Sequence, residues 1–151
     1  MSARSYSLWP LYHVAVLLAG VAVLFAGCAS RPHDGLIGYT LDPPTAVGDL
    51  SLPDVSSPDG SRMRLSAADG ELLIVYFGYT HCPDVCPTTL ADLRSALRQL
   101  GSDAKRVQVA MVTVDPGRDT PAVLRGFLQS FVHDGHPLRT DDDDELRRVA
   151  E

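Results

Sequence analysis

The chain has 151 residues and a formal net charge of −6 at pH 7, with 13 basic and 19 acidic side chains. Because it is acidic and has no basic cluster, we predict that it does not bind nucleic acid. A chain of this length can bury roughly two-thirds of its unfolded surface, which is enough for one domain and hardly for two.

The N-terminal segment has the composition of an export signal. Arg4 provides a positive start, residues 14–25 are apolar or small, and Cys28 follows an Ala-Gly pair. This pattern predicts a bacterial lipoprotein signal peptide over residues 1–27, with cleavage before Cys28 and lipidation of that thiol. An uncleaved anchor over residues 8–29 is the alternative, since that length can span a bilayer. Either way, the rest of the chain is expected at the extracytoplasmic face of a bacterial membrane.

The segment after the signal is rich in proline and glycine and has little apolar periodicity, so residues 28–48 are predicted to be a lipidated, flexible tether. The folded domain is expected over residues 49–151. Its first elements are two short alternating runs, residues 50–52 and 63–65. The turn sequence Pro-Asp-Gly lies between them, which predicts a small hairpin.

A buried strand, a helix and a second buried strand come next. The apolar runs over residues 72–77 and 107–114 predict the two strands. Between them, leucines recur at helical spacing: Leu90, Leu93, Leu97 and Leu100. Gly101 suits a left-handed helix end. A strand–helix–strand unit implies a parallel pair, so the loop over residues 115–119 should lie near the loop after the first strand.

Two further helices are predicted. Thr120 and Pro121 form a favourable N-cap and first-turn pair. The helix they begin is expected to carry Leu124, Phe127, Leu128 and Phe131. The last helix begins near the acidic residues 141–144, which suit a helix N-terminus, and carries Leu146 and Val149.

Cys82 and Cys86 are the most informative residues, because they lie where the first buried strand passes into the helix. Unpaired N–H groups at a helix start favour the thiolate, the form that binds metal or attacks a disulfide. Two soft sulfur donors with few other ligands suit Cu(I), whereas structural zinc usually has four ligands. A stabilising disulfide is the alternative, although so short a loop gains little entropy by closure.

Several neighbours of the cysteines have two possible roles. His81 is either a third ligand or an aromatic wall beside the thiol, and we favour the wall. Asp84 either tunes the thiol or caps the helix, and we favour capping. Arg118, with Asp115 and Asp119, is interpreted as a salt-bridged turn and not as a reactive group.

Two segments resemble the Sco/SenC family of copper-binding, thioredoxin-like proteins. They are YFGYTHCPDVCP over residues 76–87 and VTVDPGRDTP over residues 112–121. The resemblance covers roughly residues 46–150. It implies an α/β, thioredoxin-like domain in which Cys82 and Cys86 are the copper-binding and redox-active thiols.

The resemblance also implies a function, which is delivery of a copper ion to the binuclear CuA centre of cytochrome c oxidase. The implied partner is subunit II of that oxidase or another copper or thiol protein. We expect a metallochaperone and not a turnover enzyme. The alternative is a thiol-disulfide oxidoreductase that acts on the cysteines of a partner.

Members of this family complete the copper site with a histidine on a segment beyond the third helix, which residues 1–151 do not reach. The thioredoxin-like domain is therefore expected to be incomplete at its C-terminus, and a nonfunctional fragment is a further alternative. His133 and His136 precede the last helix, so they are assigned to a surface loop and not to the metal. We expect residues 29–151 to be marginally stable, with an unpaired strand edge and uncovered apolar surface.

Overall fold

The computed structural model describes residues 41–44 and 46–151. The predicted signal peptide, the lipidation site Cys28 and most of the tether lie outside the described residues, so those predictions stay predictions. The elements in chain order are β1 (Ser51–Pro53), β2 (Arg62–Arg64), β3 (Leu72–Gly78), α1 (Val85–Leu100), a 3-10 helix (Gly101–Arg106), β4 (Val107–Thr113), α2 (Pro121–Gln129), β5 (His136–Leu138) and α3 (Asp143–Ala150).

The central sheet has three parallel strands in the order β3-β4-β5. Leu72 pairs with Val107 at one end of β3, and Gly78 pairs with Thr113 at the other. The carboxyl ends of β3 and β4 therefore lie side by side, as the strand–helix–strand pattern predicts. This edge carries the cysteine loop and residues 115–119.

Both faces of the central strand β4 are covered, because its side chains alternate between two apolar clusters. Val109 and Met111 pack with leucines of α1 and α2 on one face. Ala110 and Val112 pack on the other face with Leu138, the β1–β2 hairpin and α3. Each fully buried leucine in these clusters contributes roughly 1.5–3 kcal/mol relative to an exposed one. The two faces together hold the loops at the carboxyl edge on a rigid base.

The predicted hairpin is present as the antiparallel pair β1–β2. A single antiparallel bridge between Asp54 and Leu138 joins it to β5. The Val55 N–H also donates to the Pro137 carbonyl at 2.9 Å. The hairpin therefore continues the sheet beyond β5 by backbone contacts.

The strand β5 was not predicted, and the assignment of His136 to a surface loop was wrong. Pro137 lies in the middle of this three-residue strand and has no N–H to donate, which made the segment look like a loop. Proline is tolerated here because β5 meets the hairpin through a single bridge, Asp54 with Leu138, so no continuous ladder on that side requires its N–H. His133 does lie in the exposed turn before it, as predicted.

Two helix ends differ from their predictions. Gly101 has φ +58° but ψ −118°, which lies outside the left-handed helical region, and the chain continues in the 3-10 helix. Phe131 lies beyond the end of α2, although its ring still contacts Phe127 edge-on at 5.5 Å between centroids. The helix therefore ends before the last residue of the apolar pattern.

Among the described residues, no strand pairs with the outer edge of β3. An apolar groove runs along this edge, lined by Val47, Leu50, Leu65, Leu73, Val75 and Phe77. The expected edge and apolar surface are thus present in this part of the chain, while the expected marginal stability stays a prediction. None of the described helices has the length and apolar character needed to cross a membrane.

Candidate functional site at the cysteine loop

The two cysteines lie at the junction predicted for them, between β3 and α1. Cys82 is partly exposed, and its N–H donates to the Tyr79 carbonyl at 3.3 Å in a tight turn. Cys86 is the second residue of α1 and is only 5% exposed. Both are free thiols in the structure, so it shows no disulfide between them. The loop therefore presents one accessible and one buried sulfur.

The Cys82 sulfur occupies the place of a helix-capping group. A capping side chain normally accepts from the N–H of the second or third helical residue. The third residue of α1 is Pro87, which has no N–H. The remaining N–H, that of Cys86, donates to Cys82 Sγ at 3.3 Å.

The prediction that the Asp84 side chain caps α1 was wrong. Asp84 is the N-cap residue by position, but its carboxylate accepts no backbone N–H of the helix. Its one described side-chain contact is with the Thr88 hydroxyl at 3.4 Å. The sulfur of Cys82 satisfies the helix N-terminus instead.

These contacts lower the pKa of Cys82 to about 7. The main cause is the hydrogen bond from the Cys86 thiol, followed by the Cys86 backbone N–H. The Asp84 N–H and the Tyr79 hydroxyl add to the effect. Because this pKa is near neutrality, a large share of Cys82 is in the thiolate form at neutral pH, which is the form that reacts.

Two tyrosines near the sulfurs were not identified from the sequence as site residues. Burial, followed by the hydrogen bond to Cys86, raises the pKa of Tyr76 to about 12, so its hydroxyl keeps its proton at neutral pH. The charge of Cys82 raises the pKa of Tyr79. Tyr76 could have been found from strand alternation, which places it on the same face of β3 as Gly78.

Gly78 leaves room for this arrangement. A Cβ added there would lie 2.7 Å from Cε1 of Tyr76 and 3.3 Å from the Cys86 sulfur. It would also lie 3.3 Å from Cε of Met111. Any larger residue at position 78 would therefore push on the ring and the buried thiol.

His81 contacts the neighbouring loop. Its Nδ1 lies 3.1 Å from the Thr80 hydroxyl and 3.7 Å from a carboxylate oxygen of Asp119. No group of three or more His, Cys, Asp or Glu side chains within the described ranges is arranged to hold a metal. The role of His81 as an aromatic wall beside the thiol, and not as a metal ligand, stays a prediction.

The loop over residues 115–119 lies close to the cysteine loop, as the topology predicts. Arg118 forms the expected ion pair with Asp115, and its hydrogen bond lowers the pKa of that carboxyl. Asp119 does not share this exposed pair, which corrects the prediction. Its carboxylate is fully buried and accepts hydrogen bonds from Thr80 and Thr113.

Arg139 was also missed, because it lies 20 residues further along the chain from the loop it contacts. Its Nε donates to the Asp119 carbonyl at 2.9 Å, and one terminal nitrogen donates to the Pro116 carbonyl at 3.0 Å. The same side chain is paired with Asp141. No local periodicity in the sequence indicates this contact.

The two later histidines have partners of their own. His133 is exposed and lies 2.8 Å from Asp134. The His136 ring lies 2.8 Å from the buried carboxylate of Asp54. Neither contact involves a cysteine sulfur, and the exclusion of both histidines from the metal site stays a prediction.

The family model described as SCO1/SenC matches residues 54–151 of this sequence. The chain belongs to the SCO1/SenC family. The SCO2-like protein of Rickettsia felis is 33% identical over 122 residues, covering 78% of this chain and 58% of the relative. The chain spans between 50% and 58% of the length of the first three curated relatives that it matches.

Solved structures of this family resemble the fold. Copper-bound ScoI of Bradyrhizobium japonicum has a TM-score of 0.57 and 36% identity, covering 68% of this chain and 64% of that one. Copper-bound yeast Sco1 has a TM-score of 0.59 and 33% identity, covering 71% of this chain and 57% of that one. These neighbours have a thioredoxin-like fold, so the predicted α/β, thioredoxin-like class is confirmed.

Proposed function

We propose that this protein is a copper-binding metallochaperone in which the sulfurs of Cys82 and Cys86 hold Cu(I) as cargo. The observation that carries this proposal is the pair of free thiols at the N-terminus of α1, one of which has a pKa of about 7. Soft thiolates select Cu(I) over hard cations such as magnesium. The copper bound to the family members from Bradyrhizobium japonicum and yeast supports this choice.

The different exposure of the two sulfurs suits a protein that transfers its metal. Cys86 is buried and anchored in α1, whereas Cys82 lies in a partly exposed turn. A partner thiol can therefore approach the metal from the Cys82 side and take it by ligand exchange. Membership of the family supports the CuA centre of cytochrome c oxidase as destination, and subunit II of that oxidase as the partner.

We also propose that the protein works at the extracytoplasmic face of a bacterial membrane, anchored by lipid on Cys28. The support comes from the export signal and the cysteine directly after it. Mass spectrometry of the purified protein tests the anchor. A chain that begins at Cys28 and carries lipid is expected, and an unmodified chain that begins at Met1 would contradict it.

The test of copper binding uses the full-length protein in detergent, reduced under anaerobic conditions and titrated with Cu(I) against a competing chromophoric chelator. We expect the wild type to retain copper in a 1:1 ratio. Cys82→Ala and Cys86→Ala should each lose it, because one thiolate is a poor site. Cys28→Ala is the matched control, since it removes a cysteine outside the site. Equal retention by wild type and Cys86→Ala would refute the proposal.

A second candidate function is thiol-disulfide exchange, which the exposure and lowered pKa of Cys82 favour. In this reaction the Cys82 thiolate attacks a partner disulfide and releases one partner thiol. Cys86 then attacks the Cys82 sulfur of the mixed disulfide and releases the second partner thiol. The partner gains two electrons and two protons as Cys82 and Cys86 close a disulfide. Catalytic reduction of a test disulfide by the metal-free protein, with glutathione as the reductant, would support it. No turnover above the glutathione background would exclude it.

A further inference from the structure

We propose that Asp119 is a positioning residue that fixes the turn carrying Cys82 and thereby sets the placement of the two thiols. This inference rests on the proposed role of Cys82 and Cys86. Asp119 does not touch either sulfur in the contacts that the structure describes. It acts through Thr80, two residues before Cys82.

The Asp119 carboxylate makes strong contacts with both loops at the sheet edge. Its Oδ1 accepts the Thr80 hydroxyl at 2.6 Å, and its Oδ2 accepts the Thr80 backbone N–H at 3.1 Å. On the opposite side, Oδ2 accepts the Thr113 hydroxyl at 2.6 Å. Hydrogen bonds to a carboxylate are stronger than those between neutral groups. Because the side chain is 0% exposed, water does not compete for these contacts.

The Thr80 contacts matter because Thr80 lies inside the turn that ends at Cys82. This turn, from Tyr79 to Cys82, has one internal backbone hydrogen bond, from the Cys82 N–H to the Tyr79 carbonyl. The Asp119 carboxylate supplies two more bonds to the middle of the same turn. A short turn held at two points has little freedom to move its last residue, which carries the exposed sulfur.

Asp119 is itself well anchored. Its N–H donates to the Asp115 carbonyl at 3.0 Å, and its carbonyl accepts from Arg139. The next residue, Thr120, is the N-cap of α2. The backbone of Asp119 is therefore held by Asp115, α2 and Arg139, and its carboxylate transfers that rigidity to the cysteine turn. The sequence shows only an aspartate in a charged loop.

A purely structural role for Asp119 would be to join β4 to α2. The two threonines separate this role from positioning, because each contributes a 2.6 Å hydroxyl bond to the same carboxylate. Thr80 lies on the cysteine turn and Thr113 lies at the end of β4. Thr80→Val and Thr113→Val thus each remove one hydroxyl bond to this carboxylate from opposite sides, with little change of shape. Each also removes one further contact of the hydroxyl, with His81 for Thr80 and with the Asp115 N–H for Thr113.

The experiment measures the full-length protein in two ways. The first is amide hydrogen exchange of the Cys82 N–H in the reduced, metal-free protein, and the second is Cu(I) affinity by chelator competition. We expect Thr80→Val to weaken Cu(I) binding by roughly tenfold, a typical effect of losing an outer-shell partner. It should also speed exchange of the Cys82 N–H by roughly tenfold, because a hydrogen bond to a charged carboxylate is lost. Thr80→Ser should restore both values, since it keeps the hydroxyl. Thr113→Val should change both values clearly less than Thr80→Val does, because the backbone contacts that hold Asp119 remain.

Equal effects of Thr80→Val and Thr113→Val on both measurements would overturn the proposal in favour of a structural role. Faster exchange in Thr80→Val with unchanged Cu(I) affinity would also overturn it, because the turn would then not govern the thiols. Failure of the wild type to bind copper would refute the proposed function alone. In that case the exchange rates of the Cys82 N–H in metal-free Thr80→Val and Thr113→Val still decide whether Asp119 fixes the turn.

Discussion

At the residue scale, the Cys82 sulfur is both a helix cap and a thiol with a lowered pKa. The same N–H that stabilises the start of α1 also stabilises negative charge on the sulfur. Copper binding or disulfide formation would therefore compete with a local contact of the helix. This coupling explains why an exposed cysteine here differs from an ordinary surface thiol.

The lowered pKa of Cys82 predicts the pH dependence of its alkylation. Thiolate is the form that reacts, so the rate of reaction with iodoacetamide should rise through a midpoint near pH 7 and not near the ordinary value of about 8.5. Cys86→Ala should move the midpoint upward, because it removes the largest cause of the shift. Peptide mapping by mass spectrometry would assign the label to Cys82. A wild-type midpoint near that of a urea-unfolded sample would contradict this prediction.

Gly78 offers a second prediction at this scale. Gly78→Ala should reduce the free energy of unfolding by about 1–3 kcal/mol, since the added methyl group meets Tyr76, Cys86 and Met111. Gly126→Ala is the matched control, because Gly126 lies within α2 with open space around it. It should stabilise by about 0.5–1 kcal/mol. Urea unfolding measures both, and an unchanged midpoint for Gly78→Ala would count against the tight fit.

At the scale of elements, the N-termini of α1 and α3 contrast. The Asp142 carboxylate caps α3 by accepting the Asp144 N–H at 2.9 Å and the Glu145 N–H at 3.1 Å. The carboxylate of Asp84 holds the corresponding position at α1 without such a bond. The side chain of an N-cap aspartate is therefore expected to stabilise α3 and not α1.

This contrast predicts unequal effects of the same substitution. Asp142→Ala should lower the free energy of unfolding by about 1 kcal/mol, as loss of an N-cap does. Asp84→Ala should stay within about 0.5 kcal/mol of wild type, as is usual for surface changes. Urea unfolding monitored by circular dichroism compares the two variants. A larger loss in Asp84→Ala would show that its carboxylate caps α1 after all.

At the scale of the whole described domain, a partly buried pair joins the hairpin to the sheet. The Asp54 carboxylate, in the bridge beside β1, accepts from Ser56 and contacts His136 in β5 at 2.8 Å. Burial alone would raise the pKa of Asp54, but the hydrogen bonds from Ser56 and then His136 outweigh it and lower the pKa. The pair adds a side-chain contact to the backbone bridge between Asp54 and Leu138.

The lowered pKa has a defined consequence for acid stability. Since the folded-state value lies below the unfolded value of about 3.9, Asp54 stabilises the protein above that pH, and this contribution is lost as the pH falls through the folded value. Asp54→Asn should cost about 1–3 kcal/mol at pH 6. This loss of free energy of unfolding should become smaller as the pH falls. Urea unfolding of both proteins over a range of pH measures it.

The surface pair His133–Asp134 supplies the control for this prediction. Its separation is also 2.8 Å, but both side chains are almost fully exposed. Asp134→Asn should change the free energy of unfolding by less than about 1 kcal/mol. Equal losses of free energy of unfolding in Asp54→Asn and Asp134→Asn would mean that the contact between Asp54 and His136 does not stabilise the domain.

The sequence by itself determined the local elements and the place of the cysteines. Apolar runs specify β3 and β4, leucine spacing specifies α1, and Thr120 with Pro121 specifies the start of α2. These signals lie within one element, where side-chain periodicity reports which face is buried. The parallel order of β3 and β4 could be inferred from their connection by a helix.

Only the tertiary structure decided which side chains surround the sulfurs and which segments complete the sheet. Thr80 meets Asp119 across 39 positions, and Asp54 meets His136 across 82. Pairing with β4 makes a strand of the segment around Pro137, which has no strand signal of its own. The physical reason is that such contacts form between elements that are distant in the chain, and no local pattern encodes a partner that folding brings close.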